Sequence, residues 1–273
     1  MDAIHKKYLR MDKLPHIWCP GCGHGIVLKA LLRAIDRLKL SKDELCLVSG
    51  IGCASRLPGY VDVNTLHTTH GRAIPFATGL KLVKPDLKVI ITSGDGDAVA
   101  IGGNHFIHGC RRNLDITLII FNNLIYGMTG GQQSPTTPMN RMSTTTPLGN
   151  PNDPFDFAEL AKAAGATFVA RSTTYHVRLL DRVIQQAIEH KGFSVVEVLE
   201  DCPTQYGRRN NLRTPAQMIA RYKDLTVSVE AADKLPIEDI RGKLLVGVLH
   251  HVERSEFAER YDKIIEEARG ASS

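Results

Sequence analysis

Oxygen-bearing side chains follow two neighbouring apolar runs of the sequence. Asp95 lies in GDGD, directly after residues 87–92, and Asn123 follows residues 116–121. Both runs are short, rich in β-branched residues and bounded by turn residues, which predicts buried strands. The Gly- and Ala-rich residues 99–110 predict the crossover helix of a right-handed parallel unit. Asp95 and Asn123 would then meet at the carboxyl edge of the sheet, where a carboxylate and a carboxamide suit Mg²⁺ completed by phosphate.

The glycines around Asp95 indicate how a phosphate group could approach. Gly94 and Gly96 lack side chains, so a diphosphate could come close to the backbone. The dinucleotide pattern G-x-G-x-x-G fails because Val99 holds its last position, and no P-loop Lys-Ser or Lys-Thr follows a glycine loop. GDG and NN are each common turn sequences, but their joint spacing at two strand ends favours a site. The arrangement resembles the diphosphate-binding motif of thiamine diphosphate enzymes.

Four of the six cysteines are expected on loops. They form a C-x-x-C pair or follow strand-like runs, and they are Cys19, Cys22, Cys53 and Cys202. Cys46 falls within an apolar run and Cys110 within the predicted helix, so we interpret both as small buried apolar residues.

The four loop thiols allow several kinds of site. The sequence start, MDAIHKKYLRMDKLP, lacks the apolar core of a secretory signal, and so large a chain needs no disulfides. WCPGC suggests a thioredoxin-like dithiol, but no strand is predicted before it. Spacing alone leaves a structural zinc site and an iron–sulfur cluster both open. Thiamine diphosphate stabilises a carbanion whose electrons a cluster can remove one at a time, which favours the cluster.

Six motifs in this order resemble the β subunits of 2-oxoacid:ferredoxin oxidoreductases, over roughly residues 18–213. They are WCPGCGHG, SGIGCASR, HTTHGRAIPFATGLKL, GDGDAVAIGGNH, the segment from NNLIYGMTGGQ to SPT, and DCPTQYGRRN. The resemblance implies an α/β fold with a doubly wound, mostly parallel sheet flanked by helices. It also implies thiamine diphosphate, Mg²⁺ and a [4Fe–4S] cluster as cofactors.

The resemblance further implies a role for individual residues. The cluster would be held by Cys19, Cys22, Cys53 and Cys202. Mg²⁺ would be bound by Asp95, Asn123 and the carbonyl of Ile125. Thiamine diphosphate would contact Ile51, Gly52, Cys53, Ala54, His70, Gly94, Gly96, Asp97, Gly127 and Met128. His70 matches an active-site position, and Arg56 stands where relatives carry a basic residue for the substrate carboxylate, a role suited to the guanidinium fork.

The activity that the resemblance implies is oxidative decarboxylation of a 2-oxoacid to an acyl-CoA and CO₂, with electrons passing to ferredoxin. The CPTQYGRRN stretch is closer to 2-oxoglutarate-specific members than to pyruvate-specific ones. Pyruvate as substrate, or a non-redox thiamine enzyme with structural zinc, are the alternatives. Some relatives carry a lysine implicated in coenzyme A binding where this chain has Gly130. A partner α subunit would supply the pyrimidine-binding domain, for which this chain has no room.

Length and composition agree with a large α/β domain. The chain has 273 residues, 43% of them hydrophobic, and a formal net charge of +5. We expect one domain at residues 1–224 and a C-terminal extension at residues 225–273 that packs on it or on a partner. The charge surplus suits anionic partners, but the sequence shows neither a nucleic-acid-binding module nor an apolar run near 18 residues. Free thiols and an oxygen-sensitive cluster predict a cytoplasmic protein.

Overall fold

The centre of the protein is a sheet built from the predicted apolar runs. The computed structural model describes residues 3–212 and 214–270. Its strands are β1 Leu45–Ser49, β2 Asn64–His67, β3 Lys88–Gly94, β4 Ile116–Asn122, β5 Ile125–Tyr126, β6 Gln132–Gln133, β7 Phe168–Thr173, β8 Phe193–Leu199, β9 Thr226–Ser228 and β10 Leu244–His251. Within the described residues, eight strands form the main sheet in the order β2-β1-β3-β4-β8-β7-β10-β9. Strands β5 and β6 form a separate antiparallel pair.

Helices connect and cover these strands. They are α1 Ala3–Tyr8, α2 His24–Arg37, α3 Ala73–Val83, α4 Asp95–Val99, α5 Gly103–Arg112, α6 Phe157–Ala164, α7 Val177–Glu189, α8 Pro215–Ala220, α9 Tyr222–Leu225, α10 Val229–Ala232, α11 Ile237–Ile240 and α12 Phe257–Gly270. A π-helical turn spans Pro203–Gly207. None of the described helices combines the length and hydrophobicity that crossing a membrane requires.

The strands from β2 to β7 pair in parallel, as the doubly wound prediction requires. Successive residues of a strand point to opposite faces of the sheet. Leu47 of β1 packs with α2 and α7 on one face, whereas its neighbours Cys46 and Val48 pack with α3, α5 and α6 on the other. Because helices cover both faces, all seven residues of β4 and of β8 are buried. The predicted fold class is therefore confirmed.

The crossover between β3 and β4 differs from the single predicted helix at residues 99–110. It contains two helices, α4 and α5, separated at Ala100–Gly102. Ala100 leaves the helical conformation with ψ −96°. A Cβ on Gly102 would collide with the carbonyl oxygen of Asp97, so this tight turn needs glycine. The break lets α4 begin at Asp95 itself, directly after the strand.

The C-terminal residues contribute to the main sheet. Strand β10 pairs antiparallel with β7 and parallel with β9. The ring of His251 lies 5.6 Å from Phe168 and 5.2 Å from His190, so this histidine packs against both rings. The predicted boundary near residue 225 stays a prediction.

The contact between His190 and His251 predicts a pH-dependent stability. Burial lowers the pKa of His190 below its usual value of about 6.5, and His251 lowers it further, opposed in part by Asp115 and Glu253. The unfolded chain therefore binds a proton first as the pH falls, so stability should be fully present above about pH 6.5 and decline below it. We expect the melting temperature to drop less in His190→Gln than in the unsubstituted protein between pH 7.5 and 5.5. Parallel pH profiles for the two proteins would contradict this.

Candidate active site

Asp95 and Asn123 meet at the carboxyl edge of the sheet, as the sequence predicts. Gly94 of β3 pairs in register with Phe121 of β4, so the residues that follow the two strands are neighbours. Asp95 is 3% exposed and Asn123 is 7% exposed. Asn123 Oδ1 accepts a hydrogen bond of 3.3 Å from the backbone N–H of Ile125. Asp95, Asn123 and Ile125, the three predicted Mg²⁺ ligands, all line one cavity of about 190 Å³.

Two hydroxyl groups hold the carboxylate of Asp95 in place. Ser134 donates to Asp95 Oδ2, and Thr136 Oγ1 lies 2.7 Å from the same oxygen. Burial nevertheless raises the pKa of Asp95 to about 6, because two hydroxyl contacts only partly replace the lost water. A cation at this carboxylate would supply the missing counter-charge.

The same cavity collects every residue that the resemblance assigns to thiamine diphosphate. Its lining includes Ile51, Gly52, Cys53, Ala54, His70, Gly94, Gly96, Asp97, Gly127 and Met128. Arg56, in contrast, is exposed in the 3₁₀-helix Ala54–Tyr60 and does not line the cavity. The predicted contact of Arg56 with a substrate carboxylate stays a prediction.

The two glycines beside Asp95 differ in what occupies the space that a side chain would fill. A Cβ on Gly94 would meet no heavy atom within 4 Å, so the backbone there is open to a ligand, as expected. A Cβ on Gly96 would overlap the ring of Tyr126, whose hydroxyl lies 3.3 Å from the Gly96 carbonyl oxygen. The missing side chain of Gly96 therefore makes room for an aromatic ring, and our expectation of a close diphosphate approach applies to Gly94.

Asp97 joins three loops around the cavity. Its Oδ1 accepts hydrogen bonds from the backbone N–H groups of Gly71, at 2.7 Å, and Ile51, at 3.2 Å. His70 Nδ1 lies 2.7 Å from the same oxygen, and Ser93 donates to Oδ2 at 2.6 Å. A Cβ on Gly50 would overlap the Asp97 carboxylate, which explains glycine at that position. Asp97 thus positions His70 and the loop that carries Ile51.

A second cavity, of about 270 Å³, brings together the four loop cysteines. Cys19, Cys22, Cys53 and Cys202 all line it. A Cβ placed on Gly127 would stand 3.4 Å from Cys202 Sγ and 3.8 Å from Cys53 Sγ, so a larger residue at Gly127 would crowd both sulfurs. Cys46 and Cys110 are buried in the core instead, at 5% and 0% exposure, which confirms their predicted packing role.

Burial disfavours the ionised form of three of the four thiols. Within the described residues, no group of three or more His, Cys, Asp or Glu side chains could hold a single ion. Burial raises the pKa of Cys53 to about 12 and also raises those of Cys22 and Cys202, so positive charge must enter before these thiols ionise.

The two cavities adjoin. His24, Cys53, Asn123, Gly127 and Met128 line both of them. A group in the cysteine cavity would therefore neighbour a group in the Asp95 cavity. This shared wall is the main geometric feature of the site.

A buried pair of side chains, His24 and Glu200, lies along the shared wall and was not predicted from the sequence. His24 is 1% exposed, and its Nδ1 lies 3.0 Å from Cys22 Sγ and 2.9 Å from Glu200 Oε1. Glu200 is fully buried, and neither of its carboxylate oxygens has a well-aligned hydrogen bond from the described residues. The only sequence signal is position, since His24 follows Cys22 by two residues and Glu200 precedes Cys202 by two.

The chain is similar to known proteins in both sequence and structure. Residues 50–198 match a family model described as thiamine pyrophosphate enzyme, C-terminal TPP binding domain. The chain is 51% identical over 263 residues to 2-oxoglutarate synthase subunit KorB of Methanocaldococcus jannaschii, covering 96% of this chain and 97% of the other. Its identity to the KorB subunit of Archaeoglobus fulgidus is 47% over 264 residues, or 97% and 95% of the two chains.

A solved structure extends the comparison to the fold. The chain superimposes with a TM-score of 0.86 on a chain of the 2-oxoglutarate:ferredoxin oxidoreductase from Magnetococcus marinus with 2-oxoglutarate, coenzyme A and succinyl-CoA bound. The two are 34% identical, and the match covers 97% of this chain and 90% of that one.

Proposed function

Because the chain belongs to the β subunits of 2-oxoglutarate:ferredoxin oxidoreductases, we propose that it carries the redox centre of such an enzyme beside its thiamine diphosphate. The reaction joins 2-oxoglutarate and coenzyme A into succinyl-CoA, releases CO₂ and passes two electrons to ferredoxin. It is reversible in principle as a reductive carboxylation. The observation that carries the proposal is the wall shared by the Asp95 cavity and the four-cysteine cavity.

The Asp95 cavity fits magnesium and thiamine diphosphate. Asp95, Asn123 and the Ile125 carbonyl offer the oxygen ligands that Mg²⁺ prefers, and the open backbone at Gly94 suits a diphosphate. The cysteine cavity fits a [4Fe–4S] cluster held by Cys19, Cys22, Cys53 and Cys202, since four thiols from separate loops line one cavity and such a cluster takes four thiolates. When bound, thiamine diphosphate supplies carbanion stabilisation and the cluster accepts electrons singly.

The buried carboxylate of Glu200 would influence the cluster. After burial, the Glu200 carboxylate contributes most to raising the pKa of Cys22, as expected of a negative charge near the sulfur. A fixed negative charge beside a cluster opposes the addition of an electron and lowers its reduction potential. A low potential suits electron transfer to ferredoxin.

His70 is the group of this chain best placed to handle a proton in the Asp95 cavity. Asp97 Oδ1 lies 2.7 Å from its Nδ1, which keeps the proton on that nitrogen and leaves Nε2 as the acceptor. The side chain is 34% exposed, so Nε2 can be reached by a ligand in the cavity.

Replacing His70 with alanine should lower kcat of the assembled enzyme by about 100-fold or more, the usual contribution of a general acid or base. Iron content should stay unchanged, and thiamine diphosphate should stay bound through Mg²⁺ despite the lost His70 contact, because the proposed metal ligands are untouched. Steady-state kinetics with cofactor analysis measure both. His67→Ala is the control, since His67 is an exposed histidine on β2 outside the cavity. A kcat within threefold of the unsubstituted enzyme would remove His70 from the mechanism.

The enzyme needs a partner. The relatives are named as subunits, which implies an α chain, and we propose that the α chain supplies the pyrimidine-binding domain and part of the substrate pocket. We also propose a cytoplasmic location, where free thiols stay reduced.

Anaerobic purification with and without the α chain tests the proposal. The complex should contain thiamine diphosphate, magnesium, iron and sulfide, and should form succinyl-CoA while reducing ferredoxin. The β chain alone should be inactive. Stoichiometric zinc without iron would overturn the redox proposal, and substantial turnover by the β chain alone would overturn the need for a partner. A higher kcat/KM for pyruvate than for 2-oxoglutarate would overturn the substrate.

A further inference from the structure

A buried ion pair lies within the main sheet. Glu197 of β8 is 3% exposed and Arg171 of β7 is 4% exposed. The two residues are register partners, and Arg171 Nε donates to Glu197 Oε2 at 2.6 Å. Arg171 Nη2 also donates at 2.6 Å to Asp156, the residue that caps the start of α6. Because a buried ion pair adds little net stability over apolar side chains of similar size, stability alone does not account for these charges.

Glu197 fixes the orientation of the Asn122 side chain. Asn122 ends β4 and is 3% exposed, and its Nδ2 donates to Glu197 Oε1 at 2.7 Å. An ionised carboxylate only accepts hydrogen bonds, so the amide nitrogen must face Glu197 and the amide oxygen must face away from it. Arg171 keeps the carboxylate charged, and the amide is therefore held in one of its two orientations.

The oxygen of Asn122 reaches the Asp95 carboxylate through one hydroxyl group. Asn122 Oδ1 lies 2.9 Å from Thr136 Oγ1, and Thr136 Oγ1 lies 2.7 Å from Asp95 Oδ2. All three side chains are buried, so each depends on the others for its hydrogen bonds. A change in the direction of the Asn122 amide would therefore be felt at Asp95.

The same oxygen holds the turn that carries the other two proposed Mg²⁺ ligands. The backbone N–H of Leu124 donates to Asn122 Oδ1 at 3.3 Å. Leu124 has φ +67°, a conformation that a leucine rarely adopts, so the turn needs support from its surroundings. Thr137 supplies a second contact by donating to the Leu124 carbonyl oxygen at 2.7 Å. Asn123 and Ile125 flank Leu124, and their positions depend on this turn.

We propose that Glu197 is a positioning residue of the Asp95 cavity, acting through Asn122 on the three groups that would bind Mg²⁺. This rests on the proposed function, which places the cation there. In Glu197→Gln, Arg171 attracts the remaining side-chain oxygen, so the new amide nitrogen faces Asn122 and turns that amide over. The nitrogen of Asn122 then faces the N–H of Leu124, and two donors oppose each other. The turn and the Thr136 contact with Asp95 should loosen together.

The experiment titrates thiamine diphosphate, at a fixed Mg²⁺ concentration, into the assembled complex from which cofactor and Mg²⁺ have been removed. In Glu197→Gln, which keeps an acceptor for Arg171, we expect the affinity measured by calorimetry to fall about 10- to 100-fold, as for other lost outer-shell partners. Asp181→Asn is the matched control, because it breaks a different buried pair, with Arg33 at 2.6 Å. It should lower the melting temperature and leave this affinity unchanged.

A second substitution separates positioning from a general loss of stability. Asn122→Leu keeps the side-chain volume and the pair between Arg171 and Glu197, but it removes the link to the turn and to Thr136. It should lower the affinity about 10-fold or more by itself. Adding Glu197→Gln to Asn122→Leu should change the affinity by less than about twofold, because Glu197 acts through that amide.

An unchanged affinity in Glu197→Gln would overturn the inference. So would an equal further loss when Glu197→Gln is added to Asn122→Leu, since Glu197 would then act by another route. If the unsubstituted complex binds the cofactor and forms succinyl-CoA while Glu197→Gln matches it, the proposed function stands and only this inference falls. An unsubstituted complex that binds no thiamine diphosphate would overturn both.

Discussion

Replacing Asp95 with asparagine should weaken thiamine diphosphate binding while stabilising the cofactor-free protein. The substitution keeps the volume of the side chain but removes the only charged group among the proposed Mg²⁺ ligands. Loss of an outer-shell partner costs a metal site about 10- to 100-fold in affinity, and loss of a ligand's charge should cost more. We therefore expect an affinity for the magnesium–thiamine diphosphate pair at least 100-fold lower, measured by titration calorimetry on the assembled complex.

The stability of the cofactor-free protein should increase in Asp95→Asn, whereas its affinity for the cofactor falls. Burial raises the pKa of Asp95 to about 6, above its usual value near 3.9. The folded protein therefore binds a proton more tightly than the unfolded chain, and stability falls as the pH rises from about 4 to about 6. At neutral pH the buried carboxylate costs the cofactor-free fold on the order of 3 kcal/mol. Asparagine carries no charge, so the melting temperature of the cofactor-free variant should rise at pH 7.

Asp181 offers a matched control. It is also a buried carboxylate, but Arg33 donates to it twice, at 2.6 and 2.8 Å. Asp181→Asn should lower the melting temperature, because it leaves a guanidinium without its partner, and should leave cofactor binding intact. If Asp95→Asn is destabilised as Asp181→Asn is, or binds the cofactor normally, Asp95 is a structural residue and not a metal ligand.

Only part of the Asp95 site could be predicted from the sequence. The strands at residues 116–121 and 193–199 follow from β-branched runs, and the carboxyl ends of β3 and β4 place Asp95 and Asn123 together. Ser134 and Thr136, which hold Asp95, lie in a long loop without periodicity. Nothing local distinguishes them from other turn residues, since only the folded loop brings them to Asp95.

The contact between His24 and Glu200 at the shared wall could not be predicted from the sequence for a related reason. His24 and Glu200 are far apart in sequence, and a histidine at the start of a helix is unremarkable by itself. Their meeting depends on α2 packing beside the end of β8. The break between α4 and α5 was also not predicted. The composition of Ala100–Gly102 does not signal it, because its cause is the close approach of the Gly102 backbone to the Asp97 carbonyl oxygen in the folded chain.

Removal of one cysteine ligand should abolish the redox centre but not the thiamine site. In Cys202→Ala we expect iron and sulfide contents to fall sharply, the brown colour of the anaerobic protein to disappear, and ferredoxin reduction to drop at least 100-fold. Thiamine diphosphate and magnesium should stay bound, because Asp95, Asn123 and the Ile125 carbonyl are unchanged. Metal analysis, absorbance spectra and ferredoxin-reduction rates on the assembled complex measure these effects.

The position of Cys202 explains why the redox centre should be lost completely in Cys202→Ala. Its carbonyl accepts backbone hydrogen bonds from Tyr206 and Gly207, so the π-helical turn holds the residue against the cavity, and no other described thiol can replace it there. Cys46→Ala is the control, since it removes a core thiol of similar size and should leave iron content unchanged. Retention of full iron by Cys202→Ala, or equal iron loss in Cys46→Ala, would show that the four thiols do not act together. Loss of zinc in place of iron would instead make the site structural, and the electrons would then need another route.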